Sequence, residues 1–280
     1  MNHFASGQKR SYYGKGDVIA YRLQREGNQA VFGVNVLLLI YGEQFWPTYT
    51  TGDNTNLVAT DSMKNFIQRE TMNFGGEDLE SYARFLGEKF LATYPQAEGA
   101  QVTATEIPYA LVPQALACGV FVPSGPDRAY ARLEFDRDGP IEIRSGIQGI
   151  KLLRLSGSAF YGFVRDQYTT LPEIKNRPLH MWLDLEWSYT SPEAAFSQGA
   201  ITAAVRKTVY EVFAGFESGS IQQIIYQIGQ KMLHDIPAIE EIHLEANNRT
   251  WDTIAEQGES LGVYTDARPP YGCLGLTLHR

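Results

Sequence analysis

Residues that bind metals or form disulfides are scarce in this chain of 280 residues. Only two cysteines occur, Cys118 and Cys273. A secreted scaffold stapled by disulfides needs more, so a reducing, cytoplasmic setting is expected. The five histidines (His3, His180, His234, His243 and His279) never recur at i+2 or i+4, and no zinc site assembles from a local motif. His243 lies near Glu240, Glu241 and Glu245, a set that alternation reads as the charged side of a strand. The TGDNTN loop hints at calcium. Counting from Asp53, however, Val58 and Lys64 fall where an EF-hand needs Gly and Glu. A Gly-rich phosphate loop and a G-x-S-x-G elbow are also missing.

Long apolar runs are missing as well. The longest, Val31 to Tyr41, is interrupted by Gly33 and Asn35, whereas a bilayer span needs about 20 apolar residues. The first residues, MNHFASGQKRSYYGKGD, have charge but no apolar core of a signal peptide, and LTLHR at the end is not a peroxisomal address. A soluble protein with no membrane partner is expected. Positive charge is in deficit: 24 Lys and Arg against 32 Asp and Glu give a net charge of −8. That balance argues against a nucleic-acid partner, whose binding rests on neutralising phosphates. Any anionic ligand would need a local basic group.

What is present is an ordinary globular composition, 44% hydrophobic and 20% charged, at a length that suits two domains. Asp17–Arg25 and Ala30–Tyr41 alternate around the turn Glu26-Gly27-Asn28-Gln29 and read as a hairpin. A polar stretch runs to about Asn56. Asp61 reads as an N-cap before Met63, Phe66 and Ile67, and Leu79, Tyr82, Ala83, Leu86 and Phe90 mark a second helix ended by Pro95. Strands follow near Gln101–Leu111, Arg128–Asp136 and Ile141–Arg144. The order then repeats. Strands at Lys151–Ser156 and Leu179–Tyr189 precede a long helix opened by Pro192. A helix capped by Ser220 follows and ends at Pro237, and strands close the chain at Glu241–Ala246 and Gly272–Leu278. The chain thus reads β-β-α-α-β-β twice. This is an α+β fold with helices on one face of antiparallel sheet, jointed near 145–150 into domains at 1–146 and 147–280. The repeat lies in element order rather than in residue identity. Open sheets leave edge strands, and pairing them between subunits would close a barrel.

The strings YGKGDVIAYR (13–22), GDNTNLVATDSMKNFI (52–67) and GFVRDQYTTLPE (162–173) resemble the urate oxidase (uricase) family of the Bacillus type. SIQQIIYQIG (220–229) and YTDARPPYG (264–272) support the resemblance, which spans nearly the whole chain in order. It implies tandem T-fold domains and a homotetramer around a tunnel, with active sites shared between subunits. It also implies oxidation of urate by O2 to 5-hydroxyisourate and hydrogen peroxide with no metal or organic cofactor.

The candidate site residues take their roles from the same resemblance. Arg177, held extended by Pro178, would grip the urate anion with its guanidinium fork; by itself it reads as a surface Arg. Gln222, with Ile221, opens an apolar-striped helix and would be the second clamp, its amide matching a lactam edge. Phe160 would stack under the purine ring and Leu57 line the same pocket; alone, Phe160 reads as core. Thr60 and Asp61 would offer helix-end N–H groups to the other edge of urate from a neighbouring subunit. The Thr60 hydroxyl and Lys15 would form the proton relay, which requires a tuned lysine because its ordinary pKa is about 10.4. Out of context Lys15 is a flexible surface residue. Asn247 would face the O2 or water site. Two residues on, Arg249 stands where the family commonly carries a histidine, and an Arg cannot shuttle protons near neutral pH. Urate oxidation through Lys15 and Thr60 alone is the first expectation. The alternatives are oxidation of a related purine or pteridine-like heterocycle, or a non-catalytic purine binder.

Overall fold

The computed structural model describes residues 11–27, 29–113, 119–196, 201–258 and 260–280. His3 and Cys118 lie outside the described residues. The chain divides into two compact units between Ser145 and Gly146, with Ala195 and Phe196 grouped with the first.

In unit 1, β1 (Tyr12–Gln24) and β2 (Ala30–Tyr41) form the expected hairpin, with Tyr12 opposite Tyr41 and Gln24 opposite Ala30. The polar stretch that follows contains a short helix, α1 (Trp46–Thr50), opened by Pro47 in its first turn. Helices α2 (Thr60–Glu70) and α3 (Leu79–Thr93) come next. They precede β3 (Gly99–Glu106), a small ribbon of β4 (Tyr109–Leu111) with β5 (Phe121–Pro123), and β6 (Arg128–Asp136). The single strand expected over 101–111 is broken after Glu106, where Pro108 has no N–H to offer a ladder. β2 alternates as its sequence dictates: Val34, Val36, Leu38 and Ile40 are fully buried. Met63 and Ile67 of α2 and Tyr82, Leu86 and Phe90 of α3 are likewise buried, with α2 packed on β1 and α3 on β3 and β6. Each such side chain contributes about 1.5–3 kcal/mol by leaving water.

Strand β7 (Gly139–Phe160) runs through the boundary. Two separate strands with a joint between them were expected there. One strand covers both segments, the division of the units falls inside it after Ser145, and Gly149 within it takes a positive φ of 78°. In unit 2, β7 is followed by β8 (Ile174–Tyr189), α4 (Pro192–Phe196), α5 (Ile201–Gly215) and α6 (Ile221–Asp235). The helix expected from Pro192 onward is thus described as two pieces. β9 (Ile239–Asn248), a ribbon of β10 (Asp252–Gln257) with β11 (Leu261–Thr265), and β12 (Cys273–His279) complete the unit. The β10–β11 ribbon was not foreseen, because β10 is exposed throughout and neither strand has a buried residue to mark an alternation. β9 pairs with β8 (Trp182 opposite Asn247) and with β12 (Cys273 opposite Asn247). Leu179, Met181, Leu183, Leu185 and Trp187 of β8 and Ile242, Leu244 and Ala246 of β9 face the helices and are buried. Among the described residues no helix is long and apolar enough to cross a membrane.

Candidate functional site

Unit 1 brings Lys15 and the start of α2 to one place. Lys15 sits opposite Leu38 just before the register breaks, and Asp17 takes a positive φ of 54° at that irregularity. A bulge of this kind re-aims side chains. Tyr13 shares the Lys15 face of β1, and its hydroxyl accepts the Val58 N–H at 2.9 Å. Its ring meets Phe45 edge-on at 5.2 Å, and burial pushes its pKa above the ordinary value. This ties the segment of Leu57, Val58 and Ala59 to the Lys15 strand.

The helix start differs from expectation in one respect. The N-cap is Ala59, and Asp61 lies inside the first turn. Its carboxylate is engaged by Lys64 and by the Asn65 amide at 2.9 Å, its i+3 and i+4 side-chain neighbours on the helix. The Lys64 hydrogen bond and charge, with a further contribution from the Lys15 charge, hold Asp61 below the usual carboxylate range. Because Ala59 has no side-chain acceptor, no side chain caps this helix, and the N–H groups of Thr60 and Asp61 keep no intrahelical partner.

Unit 2 assembles a second group. Arg177 shares the strand face of Leu179 and Met181, and its guanidinium carbon lies 6.0 Å from the centre of the Phe160 ring. Its Nε is buried without a hydrogen-bond partner, and burial pushes the guanidinium below its ordinary pKa. Phe163 stacks on Phe160 at 5.0 Å and 18°, an aromatic partner the sequence reading did not single out. The Gly157 N–H bonds to Asn176 Oδ1 at 2.8 Å. Ser218 is laced to the Gly157–Ala159 segment by two backbone hydrogen bonds, at 2.7 and 2.9 Å. Arg154 locks the same corner by donating to the Phe213, Phe216 and Gly157 carbonyls and to Ser218 Oγ. The start of α6 is thereby anchored to the strand end that carries Phe160.

At that start Ser220 is the N-cap, as expected, and its Oγ accepts the Gln223 N–H at 3.1 Å. Gln223 Oε1 in turn accepts the Gly219 N–H at 2.8 Å. Gln223 is therefore consumed by the cap, while Gln222 is exposed and its amide is left for another partner. Ile221 is buried beneath it.

Asn247 and Arg249 are placed differently. Asn247 is opposite Trp182, on the sheet face away from the helices. Its neighbour Asn248 is opposite Met181, on the helix-facing side that also bears Arg177. Reading the alternation of Ile242, Leu244 and Ala246 one step further would have shown this. Asn248 Oδ1 is held by the Thr250 N–H at 3.0 Å and the Thr250 hydroxyl at 2.6 Å. His243 contacts Thr277 Oγ1 at 2.8 Å and Glu245 at 3.4 Å, on the charged side of a strand.

Tandem units of this order, with helices packed on antiparallel sheet, define an α+β protein of the T-fold class. A family model described as Uricase matches residues 143–273. The uricase of Haloferax volcanii is 36% identical over 87% of this chain and 89% of its own. The uric acid degradation bifunctional protein of Bacillus sp. (strain TB-90) is 37% identical over 95% of this chain. The chain spans only 60% of the length of that relative. The crystal structure of a uricase from Bacillus fastidious superposes with a TM-score of 0.89 at 34% identity, covering 98% of this chain and 94% of that one. The chain belongs to the uricase family.

Proposed function

We propose that this protein oxidises urate with O2 and water to 5-hydroxyisourate and hydrogen peroxide, using no metal or organic cofactor. The observation that carries the reading is Arg177: a half-buried cation whose buried Nε has no partner, beside an aromatic ring, in a chain of net charge −8. A flat anionic heterocycle would stack on Phe160 and give the guanidinium the charge and acceptors it lacks. The Gln222 amide and the first turn of α6, with Ile221, would hold the same edge of the ring. The α2 start, with its free Thr60 and Asp61 N–H groups beside Leu57, would bind the opposite edge. Lys15 would take a proton through the Thr60 hydroxyl, leaving an electron-rich dianion able to pass an electron to O2. An amide from the Asn247–Asn248 pair would face the oxygen site, and alternation along β9 supports Asn248 for it. A homotetramer would join the unit 1 group of one subunit to the unit 2 group of another, within domains at 1–146 and 147–280, in the cytoplasm.

The test is O2 uptake, peroxide release and loss of urate absorbance with chelator-treated protein. Turnover is expected, and Arg177→Gln should lower kcat/KM by at least about a hundredfold. Tight urate binding without turnover would point to a purine binder. Neither binding nor turnover would point to a related purine or pteridine.

A further inference from the structure

The helix-free face of unit 2 holds a cavity of about 700 Å³ walled by Trp182, Asp184, Glu245, Asn247, Arg249 and Cys273, among others. Arg249 is built into it in an unusual way. Its guanidinium carbon lies 3.4 Å from the centre of the Tyr271 ring and 4.1 Å from that of Trp182. Two aromatic rings thus hold the cation, a favourable cation–π arrangement. A ring face offers no lone pair, so the N–H donors of the guanidinium, set in a rigid fork, are left for another partner. No carboxylate within ion-pair distance of Arg249 occurs among the described residues.

The unmet hydrogen-bonding capacity converges here. Arg249 Nε and Trp182 Nε1 are buried donors without partners, and Asn247 Oδ1 is a buried acceptor without a partner. Lys151 Nζ lies 4.7 Å from the Trp182 ring and adds a second positive charge. The acids of the wall limit how much negative charge fits: Glu245 stands there, and Asp184 accepts the Gly149 N–H at 2.6 Å. Two unpartnered donors, one of them on a guanidinium held by two rings, and one unpartnered acceptor describe a complement for a planar group with one negative charge and an adjoining donor.

We propose that this cavity is a subsite for a small planar oxyanion of single charge bearing an adjacent O–H or N–H. The oxyanion would bridge the Arg249 edge and Trp182 Nε1, and its donor would satisfy Asn247 Oδ1. The ligand engages Arg249 on one face of the sheet and leaves Arg177 on the other, so this inference does not rest on the urate reading. Bicarbonate is the probe, and nitrate is its planar counterpart without the donor.

Calorimetric titration of the whole protein at constant ionic strength should show saturable binding of one bicarbonate per chain, with a Kd below roughly 10 mM. Nitrate should bind several-fold more weakly. Arg249→Gln should weaken bicarbonate binding at least about tenfold, and Arg177→Gln should change it less than about twofold. Asn247→Asp keeps the stacked guanidinium, sets a negative charge at the acceptor, and should also weaken binding several-fold. It carries the test if circular dichroism shows that Arg249→Gln does not fold. Wild-type protein that shows no saturation by about 50 mM bicarbonate overturns the proposal. So does bicarbonate affinity unchanged in Asn247→Asp, or in a folded Arg249→Gln. Nitrate binding as tightly as bicarbonate overturns the role given to Asn247.

Discussion

Helix α3 of unit 1 and helix α6 of unit 2 are each 15 residues long and are built alike. Asp78 and Ser220 cap them by accepting the Ser81 and Gln223 N–H groups, and Pro95 and Pro237 follow their ends. Gly87 and Gly229 occupy the same position in the two helices, pressed against the last strand of the unit. A Cβ added to Gly87 would come within 2.4 Å of the Phe135 ring, and one added to Gly229 within 2.7 Å of Leu278 Cδ1. Even the arginines that close the units act alike. Arg137 donates to carbonyls at the end of α3, and Arg280 to the Ile236 and Ile239 carbonyls after α6. The scaffold is therefore repeated in detail, down to the contacts that set how closely a helix approaches its sheet.

The chemistry is not repeated. Unit 1 offers an uncapped helix start beside a lysine, and unit 2 a half-buried arginine beside an aromatic ring and a capped helix. The contrast fits the proposed division of labour, in which unit 1 moves the proton and holds one edge of the ring while unit 2 supplies the charged clamp. Breaking the unit 1 half should have the largest effect: Lys15→Ala should lower kcat for urate by about 10²–10⁴-fold while leaving urate binding nearly intact. If KM rises instead and kcat holds, the division fails. Breaking the unit 2 half comes next. Arg177→Gln should lower kcat/KM by roughly 10²–10³-fold, in line with about 3–4 kcal/mol for removing one partner of a buried charge pair.

Smaller effects sharpen the scaffold side of the comparison. Tyr82 of α3 is fully buried, and burial pushes its hydroxyl pKa from 10.0 to about 12. The corresponding residue of α6, Ile224, does not titrate. The folded pKa lies above the unfolded one, so this contribution is complete below pH 10 and is lost as pH rises toward about 12. It amounts to about 2–3 kcal/mol. Tyr82→Phe should flatten the decline of stability over that window, measured by urea unfolding at stepped pH, and Ile224→Val should leave its slope alone. Thr71 Oγ1, which meets the Tyr82 hydroxyl at 2.7 Å, keeps its bond to the Ile67 carbonyl in that variant.

The glycine pair follows. Gly87→Ala and Gly229→Ala should each destabilise by about 1–3 kcal/mol. Gly87→Ala should be the worse, because it drives into an aromatic ring and Gly229→Ala only against the end of a leucine. Equal losses would show that the two helices are not seated alike. The smallest effect is expected from Ala59→Ser. Giving α2 the side-chain cap that α3 and α6 already have should raise stability by about 0.5–1 kcal/mol. It should also weaken urate binding, because the added oxygen competes for helix-end N–H groups.

Much of the scaffold was legible because it rests on short-range rules. The hairpin of β1 and β2, the stripes of α3 and α6, the Ser220 cap and the proline stops are each set by neighbours a few residues apart. Errors arose where a local signal had two readings. Asp61 looked like a cap, but the chain turns into helix two residues earlier and gives its carboxylate to Lys64 and Asn65. Ile141–Arg144 and Lys151–Ser156 read as two strands and are one, β7, which runs across the division of the units after Ser145. Of the site, the residue types were legible, and which of them share a face across strands was not. The alternation of Ile242, Leu244 and Ala246 sets Asn248 on the apolar side of its strand, but only the pairing of β9 with β8 places it on the side of Arg177.

By itself, then, the sequence determined the class of fold, the repeat and the family, because apolar periodicity, caps and long matching strings are properties of the linear chain. The tertiary structure alone decided that Gln223 is spent on a cap and Gln222 is free, that the Nε of Arg177 is buried without a partner, and that Arg249 meets the rings of both Trp182 and Tyr271. Burial and pairing depend on residues far apart in the chain meeting across a sheet, and strand register, which a single sequence does not display, sets which of them meet.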